Sequence, residues 1–128
     1  RLGGRHIPEG LHTVTTFFHP KGAARFIDFT KRAFLAEEVE RHDSPEGEVL
    51  HAKIRIGESI VEVSEPKSWW QPMPSMMYLY VPDCDALYDL AIKAGAQSIH
   101  APVDQSYGDR SGGVTDEWGN QWYVSSPI

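Results

Sequence analysis

Apolar and polar positions along the chain change period several times, and each change marks an element. Leu11 to His19 is rich in β-branched and aromatic residues and predicts a strand. Pro20-Lys21-Gly22 breaks it. From Ala23 to Phe34 the residues Ala23, Phe26, Ile27, Ala33 and Phe34 recur near helical spacing. Arg25, Asp28, Lys31 and Arg32 fall outside that stripe, so the segment predicts an amphipathic helix. Glu37 to His42 predicts a strand, closed by the turn Ser44-Pro45-Glu46-Gly47. Val49 to Ile56 alternates, with Ala52, Ile54 and Ile56 on one face and His51, Lys53 and Arg55 on the other. Gly57-Glu58 is a tight-turn signal, and Ser59 to Ser64 is the partner strand.

After a proline-rich connection from Pro66 to Pro74, the same order restarts. Ser75 to Val81 predicts a strand, and Pro82 ends it as Pro20 ended the first. Asp83 is placed to cap a helix that runs to Ala94 and stops at Gly95. Gln97 to Pro102 reads as a short strand and Pro102 to Asp109 as a loop. Arg110 to Asp116 and Asn120 to Ser125 then form a hairpin around Glu117-Trp118-Gly119. The closing strands, Val61-Glu62-Val63-Ser64 and Trp122-Tyr123-Val124-Ser125, lie 61 residues apart. Phe26-Ile27-Asp28-Phe29 and Leu87-Tyr88-Asp89-Leu90 match at the same offset. The chain therefore reads as an internal repeat of two βαβββ modules, residues 11–65 and 75–126, joined by a linker at 66–74 and preceded by an arm at 1–10. Units this short cannot bury a face alone, so the halves must pack together or on another copy.

Length and charge narrow the functional classes. At 128 residues the chain is long enough for one core but not for two independent domains. Net charge is −6, and no Lys/Arg run exceeds Lys31-Arg32, which argues against a nucleic-acid partner. No apolar stretch approaches the roughly 20 residues of a membrane span. Arg1 to Gly10 carries no signal-peptide pattern. A lone cysteine, Cys84, excludes an internal disulfide and a CxxC motif, and it fits a reducing, cytoplasmic setting. A nucleophile elbow and a glycine-rich phosphate loop in strand–helix context are both missing.

Several motifs stand in an order with a known counterpart. They are Pro8-Glu9-Gly10 with His12-Thr13-Val14-Thr15, then Gly22-Ala23-Ala24 with Phe26-Ile27-Asp28-Phe29, and Lys31-Arg32-Ala33-Phe34. His51-Ala52-Lys53-Ile54-Arg55-Ile56-Gly57 follows. The second half has Tyr80-Val81 with Asp85, Ala94-Gly95-Ala96, Tyr107-Gly108-Asp109-Arg110-Ser111-Gly112, and Asp116 with Gly119 and Trp122. In this order the chain resembles the vicinal oxygen chelate superfamily, which holds glyoxalase, bleomycin-resistance and dioxygenase members, and within it the PhnB-like branch. The resemblance implies an α+β fold of half-barrel sheets around a cavity and a homodimer. It also implies a divalent metal (Zn, Ni, Fe or Mn) that chelates a small substrate through neighbouring oxygens.

In that superfamily the ligands come from the first and last strands of each module. Here those positions in the first module are His12 and Glu62, a donor pair suited to such metals. In the second module Tyr123 stands opposite Glu62, and Pro74 to Met77 offers no good partner for His12. At most half of the usual set is thus present, with His51 as a further donor. Two functions follow. One is a metal-dependent lyase, isomerase or oxygenase using His12 and Glu62 as ligands, with Glu62 and Tyr123 as catalytic groups. The other is a metal-free binding protein in which His51, Trp69, Trp70 and Trp118 contact a small-molecule ligand and no cofactor is used. Each residue also has a plainer role: Glu62 as a surface carboxylate, His12 as a strand-end side chain, the linker tryptophans as packing under the linker or across a dimer.

Overall fold

The structure, a computed structural model, describes residues 6–128; the part of the expected arm at 1–5 lies outside them. The first module comprises β1 (Phe17–Phe18), α1 (Ala23–Phe34), β2 (Glu37–Asp43), β3 (Val49–Ile56) and β4 (Ser59–Val63). The second comprises β5 (Met76–Tyr80), α2 (Cys84–Lys93), β6 (Gln97–Asp104), β7 (Asp109–Thr115) and β8 (Gln121–Pro127). Each module makes a four-stranded sheet, ordered β1-β4-β3-β2 in the first and β5-β8-β7-β6 in the second. The edge strand of each pairs in parallel with the last strand, and the other pairs are antiparallel. The repeat extends to register: Phe17 opposes Glu62 as Tyr78 opposes Tyr123.

Two boundaries differ from expectation. The predicted strand over Leu11 to His19 contracts to Phe17–Phe18. Its Val and Thr residues favour extended backbone, but the segment pairs with β4 only at Glu62 and Val63, and β propensity without a partner does not make a strand. The predicted short strand ending at Pro102 continues to Asp104, and the loop expected over Pro102 to Asp109 shortens to residues 105–108 between β6 and β7.

Both helices pack on the apolar faces of the sheets and share one core. Phe26, Ile27, Phe29, Thr30, Ala33 and Phe34 of α1 are all buried. Their rings reach across to the second module: Phe34 lies 4.4 Å from Trp122, and Phe26 lies 5.2 Å from Trp118 with the rings perpendicular. Phe18 of β1 stacks on Trp122 at 5.7 Å. The helix N-termini are held differently. Asp83 caps α2 by accepting from the Ala86 N–H at 3.1 Å. Gly22 precedes α1 without a capping side chain of its own. Glu65, just past β4, takes over by accepting from the N–H groups of Gly22 at 3.2 Å and Ala23 at 2.6 Å.

Candidate functional site

Alternation along β3 and β4 sends Ala52, Ile54, Val61 and Val63 into the shared core and His51, Lys53 and Glu62 to the opposite face. The hairpin fixes which of these meet. Its two-residue turn sets Ile56 against Ser59 and therefore Lys53 against Glu62. His51, two residues along the same face, is the diagonal neighbour of Glu62. Its Nε2 donates to Glu62 Oε1, with the two side chains 31% and 20% exposed. A carboxylate that holds an imidazole in this way fixes its tautomer and orientation.

Aromatic rings adjoin this pair. Phe17 lies beside Glu62 in the sheet and 6.0 Å from the His51 ring. Trp70, from the connection, packs 5.4 Å from Phe17 and 4.6 Å from His19. Phe17 and His19 stack at 4.9 Å. His19 Nε2 is buried with no hydrogen-bond partner, and desolvation holds the imidazole below its usual pKa. The face thus combines an aromatic wall, one oriented His–Glu pair and one imidazole whose buried Nε2 has no partner. Lys53 adds a cation 3.8 Å from Glu40 at its margin.

The equivalent face of the second sheet is phenolic. Tyr78 and Tyr123 stack at 6.2 Å, and His100 lies 6.1 Å from Tyr123. The Tyr78 hydroxyl donates to Ser125 at 3.1 Å, and the Tyr123 hydroxyl donates to Gln121 at 3.2 Å. The Tyr123 ring lies over Gly113, where a Cβ would come within 2.6 Å of a ring carbon, so only glycine leaves it room.

The expected site residues separate on this framework. Glu62 and His51 come together. His12 does not join them: it is exposed and outside β1, because the strand that was to carry it contracts to two residues. Tyr123 makes its contacts within its own sheet and none with Glu62. Trp70 reaches the site, whereas Trp69 is 75% exposed in the single chain. Trp118 packs on Phe26 and Phe29, away from the His51–Glu62 pair, and its Nε1–H donates to the Lys21 carbonyl at 2.7 Å. Phe17 and His19 were not singled out. The offset of 61 residues identifies Phe17, because it matches Tyr78 just as Glu62 matches Tyr123.

The donor set does not fit the metal that the superfamily implies, taken within one chain. Glu62 is engaged by His51, His12 stands off the strand, and among the described residues no three His, Cys, Asp or Glu side chains converge. No helix among the described residues is long and apolar enough to cross a membrane.

No protein-family model matches the chain. In structure it is similar to TioX from Micromonospora sp. ML1, with a TM-score of 0.76 at 19% identity over 91% of this chain and 97% of that one. It is similar to a member of the glyoxalase/bleomycin resistance protein/dioxygenase superfamily from Sphaerobacter thermophilus, with a TM-score of 0.68 at 17% identity over 90% and 96%. It is also similar to the "Putative 3-demethylubiquinone-9 3-methyltransferase, PhnB protein" of Bacillus cereus, with a TM-score of 0.63 at 14% identity over 90% and 99%. The fold is therefore that of the glyoxalase/bleomycin resistance/dioxygenase superfamily. In sequence the chain is 34% identical over 117 residues to "Uncharacterized protein Mb0911c" of Mycobacterium bovis and to "Uncharacterized protein Rv0887c" of Mycobacterium tuberculosis. The match covers 83% of this chain and 77% and 69% of those two. The chain belongs to the family of these mycobacterial proteins.

Proposed function

We propose that the protein is a cytoplasmic homodimer of the PhnB-like branch that binds a planar small molecule without a metal. The observation that carries this reading is the ring wall of Phe17, His19 and Trp70 beside the hydrogen-bonded His51–Glu62 pair. A flat ligand laid on this face stacks on the rings and sets its polar edge against the pair, which both donates and accepts. Trp69, Met73 and Tyr107 are exposed, and a second copy is the economical cover for them.

The experiment is a fluorescence titration of protein made without a His tag, using planar aromatic acids and amides against saturated analogues of equal size. Saturable quenching by planar compounds alone, lost in Trp70→Ala and weakened about tenfold in Glu62→Gln, supports the reading at about 1.4 kcal/mol for the polar contact. Equal binding of saturated analogues overturns it. Sedimentation at micromolar concentration should give about twice the 14.4 kDa chain mass.

A second reading is a metal-dependent lyase, isomerase or oxygenase on a small vicinal-oxygen substrate. It is favoured by the carboxylate and imidazole set side by side at Glu62 and His51. Further donors then have to come from the second copy. Stoichiometric metal in the purified protein would establish this reading in place of the first.

A further inference from the structure

A cleft of about 720 Å3 opens between the modules on the core side, away from the face just described. Val61 lines the cleft while its neighbour Glu62 points to the other side of β4, so the two regions lie on opposite faces of the first sheet. The walls are more apolar than polar, and their apolar side chains come from both halves: Phe18, Phe34 and Val61 from the first module, Leu79, Leu87 and Trp122 from the second. The volume falls within the roughly 300–1,000 Å3 of small-molecule cavities.

Three features of the mouth point to a ligand of particular chemistry. The first is Leu35, which follows α1 at φ 59° and ψ 34°, the only non-glycine residue at positive φ among the described residues. The second module ends its helix on Gly95 at φ 110°, the residue type suited to that conformation. The first module instead keeps a strained leucine whose side chain is 63% exposed and borders the cleft. Backbone strain retained where a glycine would relieve it marks a surface used for contact. The second is Met76 and Met77 on the opposite wall, flexible side chains that reshape to fit a ligand. The third is charge. Among the described residues Arg55 is the one cation lining the cleft; it faces Glu37 at 3.6 Å, and Glu58 adds a further carboxylate. The described residues of the mouth are therefore net negative and disfavour anions.

We propose that this cleft is a second binding site, for an uncharged apolar molecule of two or three rings. Leu35 is its outer contact, and the acidic rim excludes anionic analogues of the same shape.

The test uses the full chain with two dyes of one skeleton, the neutral N-phenyl-1-naphthylamine and the anionic 8-anilinonaphthalene-1-sulfonate. The neutral dye should bind saturably at one site per chain and brighten, and the sulfonate should bind at least about tenfold more weakly. Leu35→Gly should weaken the neutral dye several-fold while leaving the thermal midpoint equal or higher, because it removes contact and strain together. Leu79→Trp, which fills the cleft, should abolish uptake with unchanged far-ultraviolet circular dichroism. Absence of saturable uptake, equal or tighter binding of the sulfonate, or an unchanged affinity in Leu35→Gly overturns the proposal. So does uptake that appears only on dilution to monomer, which would give the cleft to a second copy.

Discussion

Replacing Asp116 by alanine should cost the protein a large part of its stability. The carboxylate is 5% exposed and follows β7 at the tight turn into β8. It accepts four hydrogen bonds. Oδ1 takes the N–H groups of Trp118 and Asn120, each at 2.9 Å. Oδ2 takes the Asn120 side-chain amide at 3.0 Å and the Trp122 indole N–H at 2.8 Å. Asn120 cannot turn away freely, because its own Oδ1 accepts from the Ser75 N–H at 2.8 Å. Three of the four donors are buried, and each buried donor left without a partner costs about 1–3 kcal/mol. Water entering the vacated space recovers part of this, which leaves a net loss of about 3–5 kcal/mol against a total stability of about 5–15 kcal/mol. Urea unfolding followed by circular dichroism should show the midpoint falling by roughly 2 M, for a slope of about 1–3 kcal/mol per M. Asp116→Asn keeps the volume but sets an amide donor against existing donors, and it should lose about 2–4 kcal/mol. A loss below about 1 kcal/mol in Asp116→Ala would refute the view that this carboxylate organises the turn.

Two further predictions concern titration and reactivity. Burial lowers the pKa of His19, so between its folded value and the usual value of about 6.5 the unfolded chain binds more protons than the folded one. Its contribution is complete above about pH 6.5 and is lost as pH falls towards the folded value; His19→Phe should therefore unfold with a shallower decline in stability between about pH 8 and pH 5.5, and parallel curves would contradict this. Burial also raises the Cys84 thiol above its usual pKa despite its place at the start of α2, so the native protein should react slowly with Ellman's reagent and rapidly once unfolded, and prompt labelling of the native state would count against it.

How far the sequence could be read depended on how local each signal was. The stripe from Ala23 to Phe34 and the alternation from Val49 to Ile56 each predict an element with the observed bounds, because periodicity and breakers act over neighbouring residues. The 61-residue offset goes further and anticipates the matched register of Phe17 with Glu62 and Tyr78 with Tyr123. The first strand is shorter than expected for a non-local reason, since its length depends on how far the chain runs alongside β4. That error displaced His12 from the site. The His51–Glu62 contact was within reach, because a two-residue turn at Gly57-Glu58 fixes the hairpin register and makes the two residues diagonal neighbours. The burial of His19 was not: its cover is Trp70, supplied by a connection with no periodicity to read.

The sharing of one core by two half-sized units has a consequence for the history and handling of the molecule. Phe26 and Phe34 of the first unit find their cover on Trp118 and Trp122 of the second. A chain with only one unit would leave that aromatic surface bare, so each unit needs the other to fold stably. Joining the two in one chain makes that assembly intramolecular, while their outer sheet faces differ, one carrying the His51–Glu62 pair and the other stacked phenols. The dependence can be tested at the bench. Fragments 1–72 and 73–128, each without fixed tertiary structure alone, should recombine on mixing and regain the near-ultraviolet signal of their packed tryptophans.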